Sequence, residues 1–322
     1  MTASKSSTSA LGHNVKKPAI FIDGEAGTTG LEIRQRLAGV DSVVVTSIAP
    51  EHRKDAKARQ ALMRQVDLVV LCLPDDAAKA AVALANDLGA GAPRIVDAST
   101  AHRVDPAWVY GFPEMNQGHA ARVAAARRVS NPGCYPTGAI ALLRPLIDAG
   151  LMAADHPVTV NAVSGYSGGG RQMIEAFEAG KAPSFELYGL GLQHKHLPEL
   201  ELYSGLTRRP IFVPSVGNFR QGMLVSIPLH LDALPGKPDL TAIEKTLAAH
   251  YKGSIRVSVI EGAASKFTRL EPEALNNSDT LELYVFGNDA KHQALLVARL
   301  DNLGKGAAGA AVQNLQLMLG LA

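Results

Sequence analysis

Lys17-Pro18-Ala19-Ile20-Phe21-Ile22-Asp23-Gly24-Glu25-Ala26-Gly27-Thr28-Thr29-Gly30-Leu31-Glu32-Ile33-Arg34-Gln35-Arg36-Leu37 changes texture twice. An apolar run short enough to be a buried strand gives way to a glycine turn. The turn gives way to helical spacing, with Leu and Ile on one side and charges on the other. Strand, glycine turn and helix is the context a dinucleotide-binding fingerprint requires: glycines let the backbone approach a pyrophosphate, and the helix start supplies N–H donors to it. The spacing of Gly24, Gly27 and Gly30 is G-x-x-G-x-x-G and not the strict G-x-G-x-x-G. A plain strand-to-helix turn therefore stays open as the other reading.

Working outward, Val43-Val44-Val45-Thr46 reads as a second strand, ending in Ser47-Ile48-Ala49-Pro50-Glu51-His52-Arg53-Lys54. An NAD-specific fold places an acid near this strand end to bind the ribose hydroxyls. Ser47, Arg53 and Lys54 instead suit a 2′-phosphate, which favours NADP(H), with Glu51 and Asp55 pulling the other way. A solvated basic helix start is the alternative. Val66-Asp67-Leu68-Val69-Val70-Leu71-Cys72-Leu73-Pro74 is a third strand, apolar as parallel strands covered on both faces are, and Cys72 belongs to its packing. Asp75 and Asp76 are expected to cap a helix over 77–88, and Arg94-Ile95-Val96-Asp97-Ala98-Ser99 gives a further strand. This alternation predicts an α/β, Rossmann-like doubly wound parallel sheet with its crevice at the carboxyl ends of the strands.

From about 157 the texture changes. Strands are expected over 157–164, 211–216, 223–229, 254–260 and 279–286, with a helix over 241–252, which reads as a second α+β domain on a mixed or antiparallel sheet. Gly165-Tyr166-Ser167-Gly168-Gly169-Gly170-Arg171 could form an anion-binding nest or a flexible connector. The glycine-rich 301–315 turns into a helix whose composition suits packing back on the first domain. The expected division is a disordered tail at 1–16, an NADP-binding domain at 17–135, a catalytic and oligomerisation domain at 136–295, and a returning helix at 296–322.

A chain of 322 residues, 47% of them hydrophobic, can build two cores. Three of its 32 lysines and arginines lie in the first seventeen residues, and the rest nearly balance 30 acidic residues. That balance gives no argument for a nucleic-acid partner. No apolar run is long enough to span a membrane, and the start lacks the apolar stretch of a signal peptide. Two cysteines make no disulfide framework and suit a reducing compartment, so a cytoplasmic protein is expected.

Ser130-Asn131-Pro132-Gly133-Cys134-Tyr135-Pro136-Thr137-Gly138 carries the other cysteine, in a turn that opens into a helix-compatible run. A helix N-terminus beside a thiol favours thiolate and makes a nucleophile. Such a nucleophile needs a proton acceptor, and Gln193-His194-Lys195-His196-Leu197-Pro198-Glu199 offers two histidines. An H-x-H metal pair would need a third ligand that no recognisable spacing supplies, so no metal is expected. A dinucleotide fold, a loop cysteine and a histidine loop together suggest hydride transfer to a thioester. Arg103 and Arg171 would bind an acidic substrate or a phosphate leaving group.

In the cysteine loop and the histidine loop, supported by Tyr110-Gly111-Phe112-Pro113-Glu114 and Asn302-Leu303-Gly304-Lys305-Gly306-Ala307, the chain resembles the N-acetyl-gamma-glutamyl-phosphate reductase family. The likeness is to the shorter bacterial type, within the aspartate-semialdehyde dehydrogenase superfamily, and runs over 18–319. It implies NADPH-dependent reduction of N-acetyl-glutamyl 5-phosphate to the 5-semialdehyde with release of phosphate, in arginine biosynthesis. It makes Cys134 the nucleophile and His194 the base, because Tyr188 lies six positions before it, with His196 as second candidate. Gly24, Gly27, Thr28, Thr29 and Gly30 would form the pyrophosphate loop, Ser47 and Arg53 would read the 2′-phosphate, and Asn302, Lys305 and Asn314 would return to the cofactor. Arg103, Asn131, Ser164, Arg171 and Tyr188 would meet the small-molecule acyl phosphate. A homodimer or homotetramer is implied. The rivals are an aspartate-semialdehyde dehydrogenase, a reductase of a carrier-bound acyl phosphate, a cysteine hydrolase or acyltransferase, and a non-catalytic NADP-binding regulator.

Overall fold

Ile20, Phe21 and Ile22 lose all solvent contact inside a six-stranded sheet of the computed structural model, which describes residues 17–321. The expected tail at 1–16 lies outside the described residues. The strands are β1 (Ala19–Asp23), β2 (Val44–Thr46), β3 (Leu68–Leu71), β4 (Arg94–Asp97), β5 (Val109–Tyr110) and β6 (Arg128–Ser130). They run in the order β2-β1-β3-β4-β6-β5, with every pairing parallel. Leu68, Val69, Val70 and Leu71 are all buried, which is why they carry no polar alternation. Because β2 flanks β1 on one side and β3 on the other, the crevice opens beyond the carboxyl ends of β1 and β3. Cys72 packs in the apolar cluster there, and burial holds its thiol far above the usual range.

One local expectation is corrected. The helix after β3 runs Asp75–Asn86 with Pro74 at its cap position, so Asp75 lies in its first turn. The Asp75 carboxylate accepts from the Thr100 N–H at 3.0 Å and from the Thr100 hydroxyl, tying the loop after β4 to this helix instead of capping it.

The second sheet has seven strands: β7 (Thr159–Gly165), β8 (Phe185–Leu187), β9 (Ile211–Gly217), β10 (Met223–His230), β11 (Val257–Val259), β12 (Leu281–Asn288) and β13 (Gln293–Leu300). Their order is β11-β12-β13-β10-β7-β9-β8. The β7–β9 and β11–β12 pairs are parallel and the others antiparallel. One face is covered by the helices Cys134–Asp148 and Leu240–His250, whose Ile140, Leu143, Ile243 and Leu247 share a core with Val225, Ile227, Leu283 and Leu296. Among the described residues, no helix covers the middle of the opposite face. Phe185, Leu187 and Leu295 are exposed there, along an apolar groove of about 680 Å³.

Beyond β13 a π-helical turn, Gly304–Ala308, leads into the last helix, Gly309–Leu319. Its Ala311, Leu315 and Met318 pack with Ile20, Ile33 and Val70, which returns the chain end to the first sheet. β13 carries the second sheet through Leu300, past the expected boundary at 295, and the helix that covers the sheet already starts at Cys134.

Candidate active site

Cys134 is the first residue of the helix Cys134–Asp148. Gly133 holds the cap position, and no side chain caps the open N–H groups of the first turn. This is the placement expected from the sequence, but the charge on the thiol is not. Burial pushes Cys134 up to about 11, outweighing the Tyr135 N–H and the nearby Arg103 and Lys195, while Glu199 adds to the rise. The ligand-free protein therefore holds a protonated thiol. Its alkylation by iodoacetamide is expected to keep rising between about pH 7 and 10, roughly tenfold per unit. A rate already flat at neutral pH would mean that a thiolate is present without substrate.

Beneath the cysteine loop sits Glu199, buried to 1% exposure on the helix Leu197–Ser204. Its carboxylate accepts from Arg103 Nη1 at 2.5 Å, from the Tyr110 hydroxyl at 2.8 Å and from the Gly133 N–H at 3.0 Å. A Cβ at Gly133 would stand 2.7 Å from Arg103 Nη1, Glu199 Oε1 and His196 Nε2 alike, so only glycine fits. Arg103 is further fixed by Nε donating to the Asn131 carbonyl at 3.0 Å, and its own carbonyl accepts from the Tyr203 hydroxyl at 2.7 Å. Glu199 and Tyr110 were not among the residues expected at the site. Both stand in the motifs that carried the resemblance, and that was the only signal they gave.

The histidines differ in access. His194 is half-buried, and its Nδ1 accepts from the His196 N–H at 3.2 Å, so the neutral ring carries its proton on Nε2. Burial, Lys195 and Arg103 together pull His194 down to about 4. His196 is buried under Gly133 and pushed well below the usual range, by burial first and then by Arg103.

A cleft of about 300 Å³ gathers Thr28 and Thr29 of the glycine loop with Arg103, Asn131, Cys134, Ser164, Tyr188, His194, His196 and Asn302. Several of these are already occupied. Asn131 donates to the Ala307 carbonyl at 3.0 Å. Asn302 accepts from the Gly222 N–H at 2.8 Å and donates to Ser167 Oγ at 2.9 Å. The Tyr188 hydroxyl donates to that of Tyr135 at 3.1 Å. Across the cleft, Gly24 has φ +91° and no room for a Cβ, which would lie 2.3 Å from the Cys72 carbonyl oxygen. The helix Thr28–Leu37 then starts at Gly27 without a side-chain cap, leaving its first N–H groups free for a phosphate. These residues fit a dinucleotide.

Five expected site side chains are not brought into this cleft. Lys305 is fully buried, with Nζ donating to Glu114 and Gln313 at 2.7 Å each, so its charge is spent inside the protein. Asn314 is equally buried and braces the cysteine loop by donating to the Gly111 carbonyl at 2.9 Å and to Asn131 Oδ1 at 3.0 Å. Arg171 lies on the surface and donates to the Ala26 carbonyl at 3.0 Å, a contact with the glycine loop rather than the cysteine side. Arg53 and Ser47 stand beyond β2 and outside the cleft lining, Arg53 pairing with Glu25 at 3.4 Å. Asp55 is engaged elsewhere, capping the helix Ala56–Met63.

Two family models match the chain: "Semialdehyde dehydrogenase, NAD binding domain" over residues 29–123 and "Semialdehyde dehydrogenase, dimerisation domain" over residues 134–302. The N-acetyl-gamma-glutamyl-phosphate reductases of Brucella ovis and Brucella suis are each 54% identical over 310 residues, covering 94% of this chain and 99% of theirs. The chain belongs to the N-acetyl-gamma-glutamyl-phosphate reductase family. Aspartate semialdehyde dehydrogenase II from Vibrio cholerae superposes with a TM-score of 0.71 at 16% identity, over 95% of this chain and 99% of that one. The Candida albicans enzyme determined with NADP gives 0.63 at 14%, over 94% and 99%. At these identities the likeness is one of fold. In this N-acetyl-gamma-glutamyl-phosphate reductase family member, Cys134 is the first residue matched by the dimerisation domain.

Proposed function

We propose that the chain reduces N-acetyl-L-glutamyl 5-phosphate to N-acetyl-L-glutamate 5-semialdehyde with NADPH, releasing phosphate, as a step of arginine biosynthesis in the cytoplasm. The observation that carries this reading is one cleft that joins the glycine-loop threonines Thr28 and Thr29 to Cys134, Arg103 and His194. A hydrolase would have no use for the glycine loop, and a binding regulator none for the cysteine.

Cys134 Sγ attacks the acyl carbon, forming the C–S bond as the C–O bond to phosphate breaks; the thiol proton passes by way of His194 to the departing oxygen, so phosphate leaves as the dianion, received by Arg103 and Lys195. His194 takes the thiol proton because, although both rings line the cleft, His194 is half-buried whereas His196 is buried beneath Gly133. In the free site the two cations depress His194. An anionic acyl phosphate between them reverses the field and raises the affinity of the ring for that proton, at the expense of the bond from the His196 N–H. NADPH, when bound, supplies the hydride that converts the thioester to the aldehyde and frees Cys134. His194→Ala is therefore expected to slow the acylation step more than His196→Ala in single-turnover kinetics, and the reverse order would exchange the two roles.

The open apolar face of the second sheet, with Phe185, Leu187 and Leu295 exposed, suits an intersubunit contact in a homodimer or homotetramer. Within each subunit we divide the work between a cofactor domain ending at the cysteine loop, a catalytic and oligomerisation domain from Cys134 through β13, and the returning last helix.

Phosphate-dependent reduction of NADP+ with N-acetyl-glutamate 5-semialdehyde tests the whole reading, with aspartate 4-semialdehyde run in parallel. Turnover with the acetylated substrate alone is expected. Turnover with the aspartate compound instead would move the substrate, and silence with both would sink the reading.

A further inference from the structure

Glu25, inside the glycine loop, takes no part in the chemistry above, yet its carboxylate is held from three sides. Oε2 accepts from Arg34 Nη1 at 2.9 Å and from Ser47 Oγ at 2.9 Å, and Oε1 faces Arg53 Nη2 at 3.4 Å. Arg34 Nη1 also donates to Ser47 Oγ at 2.6 Å, which closes the ring of donors. The Glu25 side chain is 11% exposed, against 47% for Arg34 and 41% for Arg53, so the acid is the enclosed member and the arginines form the rim. Glu25 follows the end of β1 and Ser47 the end of β2, and these strands are parallel neighbours in register through Phe21 and Thr46. The cluster thus lies where a doubly wound fold meets the adenosine ribose of a dinucleotide.

Two guanidinium groups and a hydroxyl converging on one point are the donor set a phosphate ester would take. Here they already hold an anion that belongs to the chain. We propose that Glu25 sets the cofactor preference by filling, as a built-in carboxylate, the seat that Arg34, Arg53 and Ser47 offer to a 2′-phosphate, and that it must yield the seat when the phosphate arrives. The inference rests on the NADP(H) reading above. A dianionic 2′-phosphate outbids a single carboxylate for the two arginines, but it binds net of the contacts it breaks. A dinucleotide with a free 2′-hydroxyl leaves Glu25 in place, and its ribose hydroxyls donate to the carboxylate. One residue therefore weakens the phosphorylated cofactor and admits the unphosphorylated one.

The test is direct binding by calorimetry of NADP+, NAD+ and the fragment adenosine 2′,5′-bisphosphate to the full chain and its variants. In E25Q the ratio of NADP+ to NAD+ affinity is expected to rise roughly tenfold, with adenosine 2′,5′-bisphosphate following NADP+. Glu25→Ala, which removes the acceptor oxygens altogether, must move the ratio the same way. Arg34→Gln must weaken NADP+ while sparing NAD+. A ratio that stays put or falls in the Glu25 variants overturns the proposal, as does an Arg34→Gln that affects both cofactors equally. Wild-type protein that binds neither dinucleotide would instead remove the NADP(H) reading and the proposal with it.

Discussion

Replacing Cys134 with serine is expected to lower turnover by at least about 10⁴-fold, the scale of losing a covalent nucleophile, while the dissociation constant for NADP+ changes by less than about threefold. The separation follows from the architecture. The glycine loop and the helix Thr28–Leu37 belong to the first sheet, whereas Cys134 opens the helix that packs on the second. A serine hydroxyl keeps the shape of the helix start but gives up its proton less readily than the thiol. Even that thiol is held at about 11 by burial in the free protein. Steady-state kinetics and cofactor titration check the two halves. Mass spectrometry after mixing with acyl phosphate in the absence of NADPH adds a third readout, since a covalent acyl adduct should form on the wild type and be missing from the variant. Full turnover in Cys134→Ser would remove the thioester route.

What the sequence made legible was whatever depends on neighbours along the chain. The strands β1, β3 and β4 announce themselves because a parallel strand buried on both faces has to be an apolar run, and Gly24 to Gly30 mark the turn where one of them meets a helix. The cysteine helix was legible for the same reason. β13 was not: Gln293-Ala294-Leu295-Leu296-Val297-Ala298-Arg299-Leu300 is rich in good helix formers, and only pairing with β10 and β12 on either side makes it a strand. The site residues divide similarly. Lys305, in a glycine-rich segment, reads as a phosphate ligand until Glu114, 191 positions away, is found against it. The charge state expected of Cys134 followed from the helix start alone, and burial, which is tertiary, reversed it. Glu25 gives no sign of itself in the sequence because the fold's ribose-binding acid is expected after β2, whereas the acid that faces Ser47 comes from the loop after β1.

Glu199→Ala is expected to cost about 3 kcal/mol or more of folding stability and at least about 100-fold in turnover. Arg103 is 96 positions away and buried, and the carboxylate of Glu199 is the only acid it pairs with among the described residues. Removing that acid leaves a guanidinium without its counter-charge, and also strands the Tyr110 hydroxyl and the Gly133 N–H. Glu199→Gln keeps an acceptor oxygen but turns an N–H₂ toward a site surrounded by donors, so it should fall between alanine and wild type. Tyr110→Phe gives up one hydrogen bond and should cost only about 1 kcal/mol. Denaturant unfolding measures the stabilities, and a loss below about 1 kcal/mol in Glu199→Ala would show that the pair holds nothing together. A second readout separates loosened structure from a specific role. Glu199 raises the Cys134 thiol, so its removal lowers it, and iodoacetamide should alkylate Glu199→Gln faster than wild type at the same pH. A variant that turns over more slowly while its cysteine reacts more readily has lost the positioning of Arg103 and the cysteine loop, because the thiolate itself has become more available.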